Sequence, residues 1–445
     1  MATLQTPTDE RERPQSVTTV IAPSIEPGER IGSFHAFRYP NFRWLWTGNL
    51  FAGAAQWIQQ TTMGWVVYDL TGSGGLLGAM NSMRSIAMLL VMPFAGVTAD
   101  RISRNLIIGA SQVLLFAIAL LLALDIALGM LEVWHLFAFT LLAGVANSFN
   151  QPARQTMIFD TVPRPVLPNA VALGSMAMST TRAIGPMIGG ALIVAFGAAA
   201  NFSLQAIAYL CVLGTVLLIH LPPREPSTAR RAVFRDMKEG YGFVFSNPQA
   251  RVLFMMTLIN PLFLIPLHMG VLPILAKDVF DGGASSLGIM LGALGAGGIV
   301  GALLTASLNR IDRRGVMQLI ALAIYSLAQA TFSLVALLFG EMWLALPFLL
   351  IAGAAESVSN TTNQTVLQLL APDELRGRIN AALQLSPMLW SLSVLVAGSM
   401  ADRTGAPTVG IVFSMTGFFV TIAITLLSPR MRNLRLSRLR EARGT

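Results

Sequence analysis

The second half of the chain repeats the first at a displacement of 209 residues. Between Glu132 and Thr156, ten of 25 positions are identical to the residues found 209 positions later. Glu132 matches Glu341 in this way, and Gly144 matches Gly353. Because unrelated segments do not agree to this extent, the protein is two copies of one unit. Its fold must therefore accommodate an internal duplication.

The composition indicates what the unit is made of. Hydrophobic residues make up 54% of the chain and charged residues 12%, with a mean hydropathy of +0.64, which is far from the composition of soluble domains. Apolar runs long enough for an α-helix to cross a bilayer recur twelve times, six in each copy. The sequence predicts an all-α polytopic membrane protein with twelve transmembrane helices in two pseudo-symmetric six-helix bundles.

The basic residues predict the orientation and the domain plan. If both termini are cytoplasmic, 26 of the 30 Lys and Arg residues fall on the cytoplasmic side, as the positive-inside rule requires. This distribution accounts for the net charge of +8 without any nucleic-acid partner. The predicted order is a disordered cytoplasmic tail (1–32), the N-terminal bundle (33–221), a cytoplasmic linker (222–249), the C-terminal bundle (250–429) and a basic cytoplasmic tail (430–445).

A loop motif between the second and third apolar runs carries a family resemblance. The segment Gly96-Val-Thr-Ala-Asp100-Arg101-Ile-Ser-Arg104-Asn105 resembles the loop signature of the major facilitator superfamily. A glycine lets another helix approach, and Asp100 can face the positive end of a neighbouring helix, while the arginines can pair with acids or lipid phosphates. We interpret Gly96, Asp100, Arg101 and Arg104 as a conformational latch. The alternative is an ordinary positive-inside loop.

A second motif, in the fifth apolar run, bears on the direction of transport. Gly185-Pro186-Met-Ile-Gly189-Gly190 is similar to a segment found in antiporters of that superfamily. Proline removes a backbone hydrogen bond and glycines permit close helix contact, so this helix can bend and seal against its neighbours. The resemblance implies export, whereas the alternative is a helix that uses small residues only for packing.

Weaker patterns point to one branch of the superfamily. Asn41-Phe42-Arg43, Trp65 with Tyr68, and Leu70-Thr71-Gly72-Ser73 resemble the enterobactin-exporter and macrolide-efflux branch. The resemblance implies a siderophore-like or drug-like substrate and a location in the cytoplasmic membrane of a prokaryote.

Three charges lie near the middle of apolar runs, where an ionisable group is costly and normally faces a cavity or a partner. They are Arg84, Arg182 and Glu356. Glu356 takes the place of Asn147 in the other copy, and we interpret it as a proton carrier. The alternative is a static ion pair with Arg182 or Arg84.

The two arginines are also candidates to attract an anionic or catechol-like substrate, although each can instead bond the carbonyls of neighbouring helices. The lone imidazole of His268 is interpreted as a satisfied polar residue. Further side chains offer hydrogen bonds or an aromatic face toward a shared cavity, or else pack helices together: Gln56, Trp57, Gln60, Asn147, Asn150 and Asn363.

No set of catalytic residues can be assembled, so we expect no enzyme activity, no cofactor and no metal. The predicted function is secondary active export by proton antiport with alternating access. The expected partners are membrane lipids, protons and a small-molecule substrate, and we expect a monomer. Two alternatives stay open: an importer or lysophospholipid-moving facilitator of the same fold, and a non-transporting membrane sensor or assembly protein.

Overall fold

A computed structural model describes residues 32, 34–220, 242, 245–307, 312–370 and 386–428. Within these ranges the side chains of residues 92, 93, 95–97, 99–101, 179, 183, 249, 368, 369 and 386–388 lie outside the description. The predicted tails and most of the predicted linker also lie outside it, so the domain boundaries stay predictions.

The described residues fold into long helices and contain no strand, which confirms the predicted all-α class. The helices are α1 (Pro40–Thr71), α2 (Gly74–Arg101), α3 (Arg104–Ala127), α4 (Val133–Thr161), α5 and α6 (together Leu167–Leu217), α7 (starting as Pro248–Ile259 and continuing to Val279), α8 (Gly283–Ser307), α9 (Arg314–Phe339), α10 (Met342–Leu370), α11 (Ser386–Thr404) and α12 (Ala406–Leu427).

Glycines in the left-handed region separate neighbouring helices. Gly197 has φ 79° and ψ 174°, which divides the Leu167–Leu217 element into α5 before it and α6 after it. Gly72, with φ 62°, ends α1. Residues with a Cβ rarely adopt these backbone angles, so the chain turns where its sequence supplies a glycine.

Eight stretches within the described residues are long and apolar enough to cross a membrane. One of them, Arg164–Leu217, contains both α5 and α6. Helices α1, α4 and α11 are not among the eight. The chain is therefore a multi-pass membrane protein by length and composition, while the count of twelve crossings stays a prediction.

Helices α1–α6 pack together, and so do α7–α12. The main contacts between these two halves are made by α2 with α11 and by α5 with α8. A shift of 209 residues aligns α2 with α8 and α5 with α11. The duplication therefore makes the α2–α11 contact equivalent to the α8–α5 contact. This reciprocity is what an internal two-fold relation between the halves produces.

Candidate coupling site between the two halves

Close backbone contact joins α2 to α11. A Cβ added to Gly78 would lie 2.3 Å from the Cα of Leu395, and one added to Gly398 would lie 2.0 Å from the carbonyl oxygen of Gly74. Farther along the same two helices, the Ser82 hydroxyl donates to the carbonyl of Ser391 at 3.1 Å. The contact thus runs from the start of α2 to its middle.

Asp402 on α11 caps the N-terminus of α2 across the interface. Its carboxylate accepts the backbone N–H groups of Gly74 at 2.7 Å and Gly75 at 2.9 Å, and the Ser73 hydroxyl at 3.0 Å. The first N–H groups of a helix have no partner within the helix and carry its positive dipole end. A carboxylate from one half therefore satisfies a helix end in the other half.

Two more polar contacts tie the halves at this end. Lys277 forms an ion pair with Asp69 at 2.9 Å, and the Tyr68 hydroxyl donates to Asp278. We call this end of the molecule, where α1 meets α2, the sealed end. The polar contacts described between the halves lie between the sealed end and the middle of the helices.

The glycines of the fifth-helix motif make helix contacts in two directions. A Cβ on Gly185 would lie 2.5 Å from the Cβ of Trp57 on α1, in the same half. A Cβ on Gly190 would lie 2.4 Å from the Cα of Gly288 on α8, in the other half. Gly189 also faces α1, and Pro186 lies inside the helix. The motif therefore lets α5 pack closely against α1 in its own bundle and against α8 in the other bundle.

Glu356 bridges the halves at the middle of α10. Its Oε1 accepts from Arg182 Nη2 on α5 at 3.2 Å and from Asn360 Nδ2 at 3.4 Å. The Arg182 side chain is 51% exposed and that of Glu356 is 15% exposed. Of the two partners considered for Glu356, the structure places Arg182 beside it. The pair links the halves at the level of mid-helix.

His268 lies on the other side of the same carboxylate. Its Nδ1 is 4.0 Å from Glu356 Oε2, and its Nε2 is 2.6 Å from the side-chain nitrogen of Gln329 on α9. The imidazole is buried in a π-helical turn of α7, Leu267–Val271. Such turns change which face of a helix a residue occupies. The imidazole is thus hydrogen-bonded through Nε2, and the sequence did not reveal its neighbour Glu356.

The matching region of the first half carries a neutral network. The Tyr209 hydroxyl donates to Gln59 Oε1 at 3.4 Å and accepts from Gln205 Nε2 at 3.1 Å. Arg84 lies close enough to Tyr209 for electrostatic interaction and makes no hydrogen bond or ion pair with another described residue. A cation without a protein partner is a candidate to receive a ligand.

Some of the remaining cavity candidates have their side-chain groups hydrogen-bonded within the protein, and others have a polar atom without a hydrogen-bond partner. Asn147 donates to the carbonyl of Ala143 in its own helix at 2.9 Å. Asn363 donates to Thr257 at 2.5 Å, but its own side-chain oxygen is buried without a hydrogen-bond partner. The side-chain oxygen of Asn150 is also buried without a hydrogen-bond partner. Gln56 and Gln60 are half-buried on α1.

Arg154 is a partly buried charge that the sequence analysis missed. The fourth apolar run ends at Asn150, but α4 continues to Thr161, which carries Arg154 into the bundle. Its Nε and Nη2 donate to Asn49 Oδ1 at 3.1 and 2.5 Å, and its Nη1 is buried without a partner. The displacement of 209 residues pairs Arg154 with Asn363, a polar position that was recognised, and this pairing is the signal that could have found it.

The loop motif is only partly described. Arg104 donates to Asp160 at the end of α4 and to the carbonyl of Thr156, so it holds together two helices of one half. The side chains of Asp100 and Arg101 and the surroundings of Gly96 lie outside the description. The interpretation of these residues as a latch stays a prediction.

Similar proteins with curated functions are transporters. A family model described as transmembrane secretion effector matches residues 31–442. The chain is 24% identical to the staphyloferrin A transporter of Staphylococcus aureus over 85% of this chain and 92% of that protein. It is 25% identical to the multidrug efflux pump Tap of Mycolicibacterium fortuitum, over 87% and 95%. It is 27% identical to the enterobactin exporter EntS of Shigella boydii, over 70% and 73%.

Solved structures with the same fold are more distant in sequence. A crystal structure of the nucleoside transporter NupG (D323A mutant) superposes with a TM-score of 0.67 at 15% identity, covering 87% of this chain and 99% of that chain. A bacterial homologue of the lysosomal transporter Spinster, in an inward-facing and unoccupied conformation, gives a TM-score of 0.64 at 15% identity, over 88% and 96%. At these identities the likeness concerns the fold alone.

Proposed function

The chain belongs to the transmembrane secretion effector family of the major facilitator superfamily, and on this basis we propose that it is a secondary active exporter of a small organic molecule, driven by proton antiport at Glu356. The resemblance stated from the loop motif is thereby confirmed, and the protein is a transporter and not an enzyme. The observation that carries the proposal is the Arg182–Glu356 pair, which joins the two halves at mid-helix.

The pair works as a switch that one proton operates. Ionised Glu356 attracts Arg182 across the interface, whereas protonated Glu356 has no charge to attract it. A partly exposed ion pair contributes only about 0–1 kcal/mol, so protonation is sufficient to release it. In the antiport cycle the outward movement is made with Glu356 ionised and substrate bound, and the return movement is made with a proton from the outer side bound to Glu356.

The contacts at the sealed end determine from which side of the membrane substrate can enter. Asp402, Lys277 and Tyr68 hold the halves together there, so substrate must enter from the opposite end, which carries most of the basic residues. By the positive-inside rule that end is cytoplasmic, as are both termini. We interpret the structure as the state that receives cytoplasmic substrate.

The substrate class follows from the unpaired charge in the first half. Arg84 has no protein partner among the described residues, and Tyr209, Gln59 and Gln205 offer a phenol and two amides beside it. This set favours an anionic or polyphenolic group, since guanidinium binds oxyanions strongly. The names of the relatives, which include staphyloferrin A and enterobactin transporters, support a siderophore-like substrate, while Tap supports a drug-like one.

Everted membrane vesicles test the proposal. When ATP hydrolysis has acidified the vesicle lumen, we expect accumulation of at least one of three probes: enterobactin, staphyloferrin A or a macrolide. Accumulation should collapse with an uncoupler and with Glu356→Gln. Glu341→Gln is the matched control, because it makes the same chemical change at an exposed glutamate, and it should behave as the wild type.

Two results would count against the proposal. Accumulation that is indifferent to the proton gradient would remove antiport but keep transport. A folded protein that moves none of the probes in either direction would favour the sensor function that the sequence left open.

A further inference from the structure

The hydrogen bonds around His268 determine which of its ring nitrogens carries the proton. Gln329 Nε2 lies 3.2 Å from the carbonyl oxygen of Leu264, and Gln329 Oε1 accepts from the Ser414 hydroxyl at 3.3 Å. A carbonyl oxygen only accepts hydrogen bonds, so the amide group of Gln329 must present its nitrogen there. The orientation of this amide is therefore fixed by its neighbours on α7 and α12.

The same amide nitrogen faces the imidazole. Gln329 Nε2 is 2.6 Å from His268 Nε2, and an amide nitrogen can only donate. His268 Nε2 must therefore accept and cannot carry a proton. The imidazole is held neutral with its single proton on Nδ1, the atom that faces Glu356 Oε2 at 4.0 Å.

We propose that His268 is a positioning residue for Glu356, a fixed neutral donor that takes over the carboxylate when Arg182 withdraws. This inference rests on the proposed function and identifies how the coupling carboxylate is held in both conformations. Arg182 in the other half and Asn360 in the same half both bond Glu356 Oε1, whereas His268 faces the second oxygen, Oε2. A movement of about 1 Å brings the Nδ1–H group within hydrogen-bond distance.

No other charge competes for this role. Among the described residues, the charged groups acting on His268 are Glu356 on α10 and Arg182 on α5. Tyr325 on α9 packs its buried ring against the imidazole, with ring centroids 6.0 Å apart, and α12 contributes the Ser414 hydroxyl. Gln329 and Tyr325 of α9 therefore contact the imidazole directly, Ser414 of α12 holds Gln329, and the Nδ1 of His268 is left to face the carboxylate.

Nitrogen-15 NMR of the full-length protein with labelled histidine tests the tautomer directly. The chain has four histidines, and the spectrum of His268→Asn identifies the His268 signals by their disappearance. We expect Nδ1 in the protonated range and Nε2 in the unprotonated range. A proton on Nε2 would overturn the inference.

Two substitutions test the role, because each keeps a different part of the imidazole. An asparagine amide nitrogen takes the place of Nδ1 as a donor, whereas a glutamine side chain reaches the position of Nε2, where its amide oxygen accepts from Gln329. His268→Asn therefore keeps a donor toward Glu356, while His268→Gln keeps only the contact with Gln329. Infrared titration of the carboxyl C=O stretch measures the ionisation of Glu356 without any substrate, and Glu356→Gln assigns the band.

We expect His268→Asn to titrate as the wild type. In His268→Gln the ionised carboxylate loses a donor, so its titration midpoint should rise by roughly half to one pH unit. Equal midpoints in the two variants would overturn the inference even if Glu356→Gln abolishes antiport. Conversely, proton-driven transport that survives Glu356→Gln would contradict the proposed function while leaving the tautomer result in place.

Discussion

The two halves of the protein use the same backbone positions for different chemistry. Gln59, Gln205 and Asn147 in the first half correspond, at a displacement of 209, to His268, Ser414 and Glu356 in the second. In the first half Gln59 and Gln205 form a network with the Tyr209 phenol, beside Arg84, which has no partner among the described residues. In the second half the corresponding positions surround a carboxylate. Duplication supplied two polar sites, and only the second combines a carboxylate with an imidazole.

Moving the carboxylate from one half to the other is the strongest test of this difference between the two polar sites. We expect Glu356→Asn to reduce proton-driven accumulation to the level found without a gradient. The added change Asn147→Glu should not restore it, because the counterparts of His268 and Arg182 are Gln59 in the same half and Ser391 in the other half, and neither carries a charge. Vesicle transport measures the outcome, with Asn147→Glu alone as the control for folding. Coupling in the double variant would show that position alone, without partners, suffices.

The sequence predicted this comparison only in part. Glu356 could be recognised because a carboxylate inside an apolar run is conspicuous, and the shift of 209 residues aligned it with Asn147. Its neighbour His268 could not be recognised as such. It lies in the π-helical turn Leu267–Val271, and the hydrophobic periodicity of the sequence does not predict such a turn. Arg154 was missed for a related reason. The predicted span ends where the apolar run gives way to polar residues, whereas α4 continues as a helix inside the bundle. The exchange of the α2–α11 and α5–α8 contacts, by contrast, follows from duplication.

The glycine contacts within each half sharpen the comparison. A Cβ on Gly353 of α10 would lie 2.0 Å from the carbonyl oxygen of Leu294, a backbone atom that cannot rotate away. At the corresponding Gly144 of α4, the nearest atom is the Cβ of Ala87 at 2.9 Å. We expect Gly353→Ala to destabilise the protein by about 1–3 kcal/mol, the usual range for overpacking, and Gly144→Ala to cost less.

Thermal unfolding of the two purified variants in one detergent checks this order. Because both changes add a single methyl group to a helix interior, where alanine is the better helix former, intrinsic propensity favours both equally. Equal melting temperatures, or a lower one for Gly144→Ala, would show that the second half is not the more tightly packed of the two.

The smallest expected effect concerns the two contacts between the halves, which correspond by duplication but are stabilised differently. Backbone contact at Gly190 and Gly288 joins α5 to α8, whereas α2 and α11 also share the carboxylate cap of Asp402. Removing a helix cap typically costs about 1 kcal/mol, or roughly a fivefold change in a two-state equilibrium. Asp402→Ala should therefore raise the fraction of molecules open at the sealed end by up to about fivefold.

Spin labels at Met130 and Phe339 report this fraction as a distance distribution by pulsed electron paramagnetic resonance. Both residues are exposed, and they correspond at a displacement of 209, while Cys211→Ser removes the one native cysteine. Lys277→Ala is the matched control: it removes an exposed ion pair of the same interface, worth about 0–1 kcal/mol and weakened by salt, so it should shift the distribution less. A larger shift with Lys277→Ala would mean that simple charge attraction, and not the capped helix end, keeps this side closed.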